Sequence, residues 1–465
     1  MTQQPMSPPR QAPAQAARPA GAGQAPVPAG QVPAGQVPAG QVLGGTGAPD
    51  NPLRVFLSSA FEGSPGRMRL LGAVAALAAA VFGIVGATTL WSSAAALGRA
   101  DHNTAQVVRS QGIYADLLRA DASATNAFLV GGLENPAQRA DYDATMSRVA
   151  AAIADAATAQ PADGTALGQL NAQVQTYAAT VEQARVYNRQ GLPIGSQYLN
   201  NASLGLRTTT LPVVAAVTSA NAQRADQEFG ASSTGVALKL VGTVALVVLG
   251  FVVVWLARRT HRYLNVPLTV AAGLVLVALL LGATTLGAVG DGLSSVRGSD
   301  YTATLALATA RSAAFDAKSN ESLTLIARAG NASETKWKTP SEAVLANLAV
   351  LEAAQGSNGP AGSLRTAWNA YVTEHGAIRK LDDAGTWDQA VAAATKTDPA
   401  SANATFTAFT TAAGTSLETF RAATEAKVTE PQTRVTVTGW ALLIICLAAA
   451  LLAVRGISQR LEEYR

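Results

Sequence analysis

The sequence predicts an all-α membrane protein: four transmembrane helices carrying two tandem extracytoplasmic four-helix bundles. Three observations lead there. Apolar residues are gathered in four blocks rather than spread as one globular core would spread them. Period-two alternation of the strand type is scarce. The segments 92–236 and 290–434 between the blocks repeat apolar residues at steps of three and four, the period of a helix face.

A bilayer core takes roughly 20 residues in helical form. The blocks at 70–91, 237–257, 266–289 and 435–454 meet that length and carry no interior charge except Lys239, placed at a mouth where its stem can snorkel. Each central Leu, Ile, Val or Phe favours insertion by about 0.3–0.6 kcal/mol. The middle pair is joined only by the loop 258–265, so a buried soluble hairpin would need a large core that no other segment supplies. Basic residues set the orientation. Arg67 and Arg69, then Arg258, Arg259 and Arg262, then Arg455, Arg460 and Arg465 fall on one side if there are four spans. That side is expected to be the cytoplasm of a multi-pass plasma-membrane protein, with both large domains outside. The first span begins too far along the chain, and is too long, for a cleaved signal peptide.

The cytoplasmic parts are small. Residues 1–49 are rich in Pro, Gln, Ala and Gly, with VPAGQ repeated from Val27, Val32 and Val37, and read as a disordered tail. In 50–69, Asn51 and Pro52 open a short helix whose Leu53, Phe56, Leu57, Ala60 and Phe61 form one apolar stripe, suited to the inner leaflet or to a partner. Phe56 and Phe61, together with Arg258, Arg259 and Arg460, are the candidate contacts for a cytoplasmic partner. The tail 455–465 adds a turn or two. These pieces hold no kinase, cyclase, HAMP-type linker or methylated coiled coil.

Composition excludes several functions. Only 14% of the 465 residues are charged, and a net charge of +4 with no dense basic stripe points away from nucleic acid. One cysteine, Cys446, and three histidines give neither a disulfide nor metal-ligand spacing. Neither outer domain shows a nucleophile–base constellation or a phosphate loop, so neither enzymatic activity nor a cofactor is expected. Spans without interior charges or broken helices make a poor transport path.

The outer domains read as a duplication. In the first, Val107, Tyr114, Leu118 and Phe128 mark a long opening helix. Asn135-Pro136 starts a second through Met146, Val149 and Ile153, and Leu170, Val174, Tyr177 and Val181 mark a third. Leu192-Pro-Ile-Gly ends that third helix, and the last runs through Val213, Val217 and Asn221. In the second, helices are expected from Tyr301 to about Ala329, around 344–351 and 364–381, and over 402–428. Asp121-Ala-Ser-Ala-Thr-Asn-Ala-Phe-Leu aligns with Asp316-Ala-Lys-Ser-Asn-Glu-Ser-Leu. Asp121 and Thr125 fall on the apolar stripe, and Asp316 and Ser319 hold related places. A carboxylate facing a bundle interior needs a partner. Two readings stay open: a ligand or signalling site between helices, or an ion pair that fixes register, with Arg119, Arg148, Arg185 and Arg311 available. Gly230 and Gly235 before the second span, and Pro431 before the fourth, are expected to interrupt helices at the membrane junctions.

Span, helical bundle, span is the layout of bacterial chemoreceptor and sensor-kinase input domains, and Tyr114–Tyr142 (YADLLRADASATNAFLVGGLENPAQRADY) resembles their opening helix pair. With four spans, two outer helical domains and minimal cytoplasmic parts, the chain also resembles an actinobacterial membrane relay protein. That protein is encoded with a glutamine/glutamate-binding lipoprotein and the soluble serine/threonine protein kinase G. The resemblance implies sensing of the loaded solute-binding protein outside and signalling to the kinase inside, with a possible homodimer by analogy with sensor bundles. A scaffold or transport accessory, or a direct small-ligand sensor, is the alternative. None of the site residues is carried over from that family.

Overall fold

Helices form nearly all of the structure. The computed structural model describes residues 63–131, 134–233, 235–260, 265–328 and 334–462, and among these there is no strand. In chain order, α1 is Gly63–Val130, α2 Pro136–Ala159, α3 Gly164–Arg189 and α4 Ile194–Gly205. A π-helical turn, Leu206–Thr210, joins α4 to α5 (Leu211–Ser233). Then come α6 (Val236–Thr260) and α7 (Val266–Val296). A second π turn, Arg297–Tyr301, leads into α8 (Thr302–Ala327). The chain continues as α9 (Glu334–Gln355), α10 (Ala361–Asp383), α11 (Trp387–Thr395) and α12 (Ala402–Glu462). Phe56 and Phe61 lie outside the described residues.

Four helices, α1, α6, α7 and α12, are long and apolar enough to cross a membrane. They share a core that includes Phe82, Leu90, Leu249, Val275, Leu442 and Cys446. Their outer faces stay apolar: Leu77, Val247, Leu280 and Leu451 are exposed. In water that arrangement would be costly, and in lipid it is the expected one. Small residues let α1 and α12 approach closely. A Cβ built on Gly83 would lie 2.6 Å from the Cβ of Cys446, and both atoms are fixed to backbone. Gly83→Val is therefore expected to force the helices apart, costing about 1–3 kcal/mol. Gly250→Val, where a Cβ meets nothing within 4 Å, serves as control. Thermal unfolding of the detergent-solubilised chain checks the difference. At one end of the set, Asn265 ties α7 to α12: its Nδ2 donates to the Gly456 carbonyl at 2.8 Å.

The junctions differ from one another. α1 runs unbroken from its span into the head, and α12 does the same through Pro431, which lies inside the helix. The expected interruption at Pro431 is thus absent, although the proline removes one backbone donor there. Gly230 also lies within a helix, α5. The chain does leave the helical path at Gly235, whose φ of +44° suits glycine and whose absent side chain makes room for Leu286. Arg258 and Arg259 are exposed in the last turn of α6.

The head is more unified than two tandem bundles would be. Leu118, Val149, Leu170 and Leu199 from the first half belong to the same buried core as Leu307, Leu348, Trp368 and Phe409 from the second. The upper part of α1 packs against α8 as well as against α2 and α5. The short α11 has no expected counterpart in the sequence reading. It closes the seam, with the Trp387 indole N–H donating to the Leu325 carbonyl at 2.8 Å and Asn126 reaching the Ala394 carbonyl at 3.5 Å.

Candidate functional site

Asp121, midway along the head portion of α1, is completely buried. An ionised carboxylate there needs all its lone pairs satisfied. They are. Oδ1 accepts from the Ser203 hydroxyl at 2.6 Å and the Tyr177 hydroxyl at 3.2 Å. Oδ2 accepts from the Ser319 hydroxyl at 2.6 Å and from Arg207 Nη1 at 2.8 Å. Ser203 comes from α4, Tyr177 from α3 and Ser319 from α8, so one carboxylate collects donors from across the head.

Arg207 is the joint. Its Nη1 serves Asp121, while Nη2 lies 2.7 Å from Asp316 Oδ1 and Nε donates to the same oxygen at 2.9 Å. Nη2 also donates to the Ser319 hydroxyl at 3.1 Å. Burial disfavours the guanidinium charge, but the two carboxylates outweigh it and raise the pKa of Arg207. The three ionic groups thus bridge α1, the π turn and α8. Aligned residues of the two halves, Asp121 and Asp316, meet on a single cation.

Of the residues singled out in the sequence, Asp121, Asp316 and Ser319 come together here. Thr125 does not; its hydroxyl donates to the Asp121 backbone carbonyl at 2.8 Å. The partner is none of the arginines considered from the sequence. Arg119 pairs with Asp141, Arg148 with Asp116 and Arg185 with Glu134 and Glu182. Arg207 lies in 194–212, outside the helices predicted from periodicity in the sequence. Leu199, Ala202 and Leu206 have three/four spacing and are buried, which is the signal that could have shown it. Across the π turn the 3.6 period also fails, so face assignment by counting breaks down there.

A second buried cluster lies within the second half. Glu321 Oε1 is 2.6 Å from Lys318 Nζ, and Oε2 is 2.7 Å from His375 Nδ1 and accepts from the Tyr371 hydroxyl at 3.1 Å. The other imidazole nitrogen, Nε2, is 3.3 Å from Glu334 Oε1. The Trp337 ring stacks on the imidazole with centroids 3.7 Å apart. Burial works against the Glu321 charge, yet Lys318 and His375 prevail and hold its pKa at about 2. Burial likewise opposes the imidazolium, yet Glu321 and Glu334 raise the His375 pKa above 6.5. The halves share a plan, in which a tyrosine of the third helix (Tyr177, Tyr371) reaches a carboxylate on the first. Both clusters are closed networks of donors and acceptors. Among the described residues, no group of His, Cys, Asp and Glu could hold a metal ion.

Searches of curated proteins and of solved structures find no match to this chain. Residues 96–230 match the family model described as Actinobacterial sensor domain. The matched segment holds Asp121, Tyr177, Ser203 and Arg207, and ends before Asp316. Together with four apolar helices of membrane-crossing length, the match supports reading this chain as an actinobacterial sensor protein of the membrane.

Proposed function

We propose that the protein is a transmembrane signal relay. In this reading its head, outside the cytoplasm, receives an amino-acid-loaded solute-binding protein of the glutamine/glutamate type. Its cytoplasmic face, including Arg258, Arg259 and Arg460, engages a separate serine/threonine kinase. The observation that carries the reading is the continuity of α1 and α12, each a single helix from span to head. A stiff helix passes a displacement at one end to the other, and packed helices respond by shifts of about 1–2 Å. The Asp121–Arg207–Asp316 cluster supports the same reading, since it links the two halves that such a shift would move. The sensor-domain match supports sensing, and the choice of partners rests on the resemblance described above.

The experiment is a capture assay. Full-length protein in detergent is held on beads and offered the purified solute-binding protein, with and without glutamine or glutamate. Retention is expected to depend on the amino acid. Equal retention in both conditions, or none, removes the input from the relay.

A further inference from the structure

An open cleft of about 520 Å³ lies between α1 and α2 of the first half and α8 and α12 of the second. Arg119, Arg311 and Lys318 border it. Two of these cations are neutralised in place: Arg119 Nη2 is 2.5 Å from Asp141 and Lys318 Nζ is 2.6 Å from Glu321. Arg311 has no carboxylate within ion-pair reach among the described residues, and its buried Nε lacks a hydrogen-bond partner. The Phe315 ring lies 5.8 Å from its guanidinium carbon. Burial lowers the Arg311 pKa, with Asp116 partly opposing. A half-buried cation with no carboxylate in ion-pair reach is a cost that a bound anion relieves.

The rest of the wall narrows the ligand class. Gln138 Oε1 is a second buried group without a partner, and as an acceptor it calls for a donor. Phe315 and Phe406, packed edge to face with centroids 5.5 Å apart, give an apolar surface. One cation without a salt-bridge partner matches one negative charge; a dicarboxylate or polyphosphate would bring an excess. Metabolite-sized ligands occupy pockets of about 300–1,000 Å³. We propose that this cleft binds a small organic monocarboxylate with an apolar body and one hydrogen-bond donor. Its carboxylate sits on Arg311, its donor faces Gln138 and its apolar part lies against Phe315 and Phe406. Both halves of the head supply walls, so the ligand joins them. Binding here does not depend on a protein partner reaching the head.

The test uses the full chain in detergent, titrated calorimetrically with 3-phenyllactate, hippurate and N-acetylleucine. Each is compared with its uncharged amide and with sodium sulfate at equal ionic strength. At least one carboxylate is expected to bind, its amide at least tenfold more weakly. Arg311→Gln is expected to lose binding at least tenfold while still folding, since it removes a charge that has no carboxylate partner. Gly414→Leu is expected to lose it by filling the cleft, because a Cβ at Gly414 already points within 3.9 Å of the Arg311 guanidinium carbon. Arg365→Gln, a change at a half-exposed pair with Glu352, is expected to leave binding unchanged. Failure of all three carboxylates to bind overturns the proposal. So does equal binding of the amides or sulfate, or binding that survives both Arg311→Gln and Gly414→Leu.

Discussion

Arg207→Met is expected to be among the most destabilising single changes in the head, by about 3 kcal/mol or more. Breaking a buried ion pair from one side costs about 3–5 kcal/mol, because the remaining charge stays out of water. The remaining charge here is Asp121, fully buried. Its three hydroxyl donors, Ser203, Tyr177 and Ser319, stay in place, which puts the expected loss at the lower end of that range. The other side of the bridge behaves differently. Asp316 keeps 28% of its side-chain surface in solvent, so Asp316→Asn is expected to cost only about 1 kcal/mol or less. Asp121→Asn combined with Arg207→Met removes both charges of the pair, and is expected to be milder than Arg207→Met alone. Pulse proteolysis of the detergent-solubilised chain across a urea series reads all four proteins. If Arg207→Met and Asp316→Asn shift the midpoint equally, the cluster is not organised around the buried carboxylate.

Glu321→Gln is the second large effect. It strands Lys318, 3% exposed, with no carboxylate at hand, and deprives His375 of its closest one. His375 can shed its proton. A loss of about 3–5 kcal/mol is expected. The pH dependence supplies an independent check. Glu321 has a depressed folded pKa, so its contribution is fully present above the unfolded value of 4.5 and is lost as pH falls towards about 2. His375 has a raised folded pKa, so its contribution is fully present below 6.5 and is lost as pH rises through the folded value. The wild-type cluster is therefore most stabilising between about pH 4.5 and 6.5, and weakens on either side. In Glu321→Gln the alkaline decline should shrink, because burial then dominates at His375. Unfolding temperatures at pH 5.5 and 8 distinguish the two proteins. An unchanged alkaline slope in the variant would place the titrating group elsewhere.

Helix content and four membrane-crossing segments were legible from composition and period, because lipid demands long uninterrupted apolar helices and leaves few alternatives. Asp121 and Asp316 could be picked out too, because similar short stretches of sequence surround them. What lay beyond reach was the contact that unites them. Arg207 sits where a π turn resets the helical phase, so no count along the chain could say which way it faces. Glu321, Lys318 and His375 are scattered over 58 residues on two helices, and single polar residues on amphipathic helices resemble surface until packing closes over them.

Junctions show the same division. Gly235 breaks the path into α6, a choice local to its own backbone, which glycine alone makes easy. Pro431 carries an equally strong local signal, yet α12 continues through it, with one backbone donor missing. Residue type and period are enough to establish a helical chain with four segments long and apolar enough to cross a membrane. Only packing shows that the two halves form one head with a shared core, a common cation and a cleft between them. Those features depend on which faces meet, and faces meet only after the helices have packed.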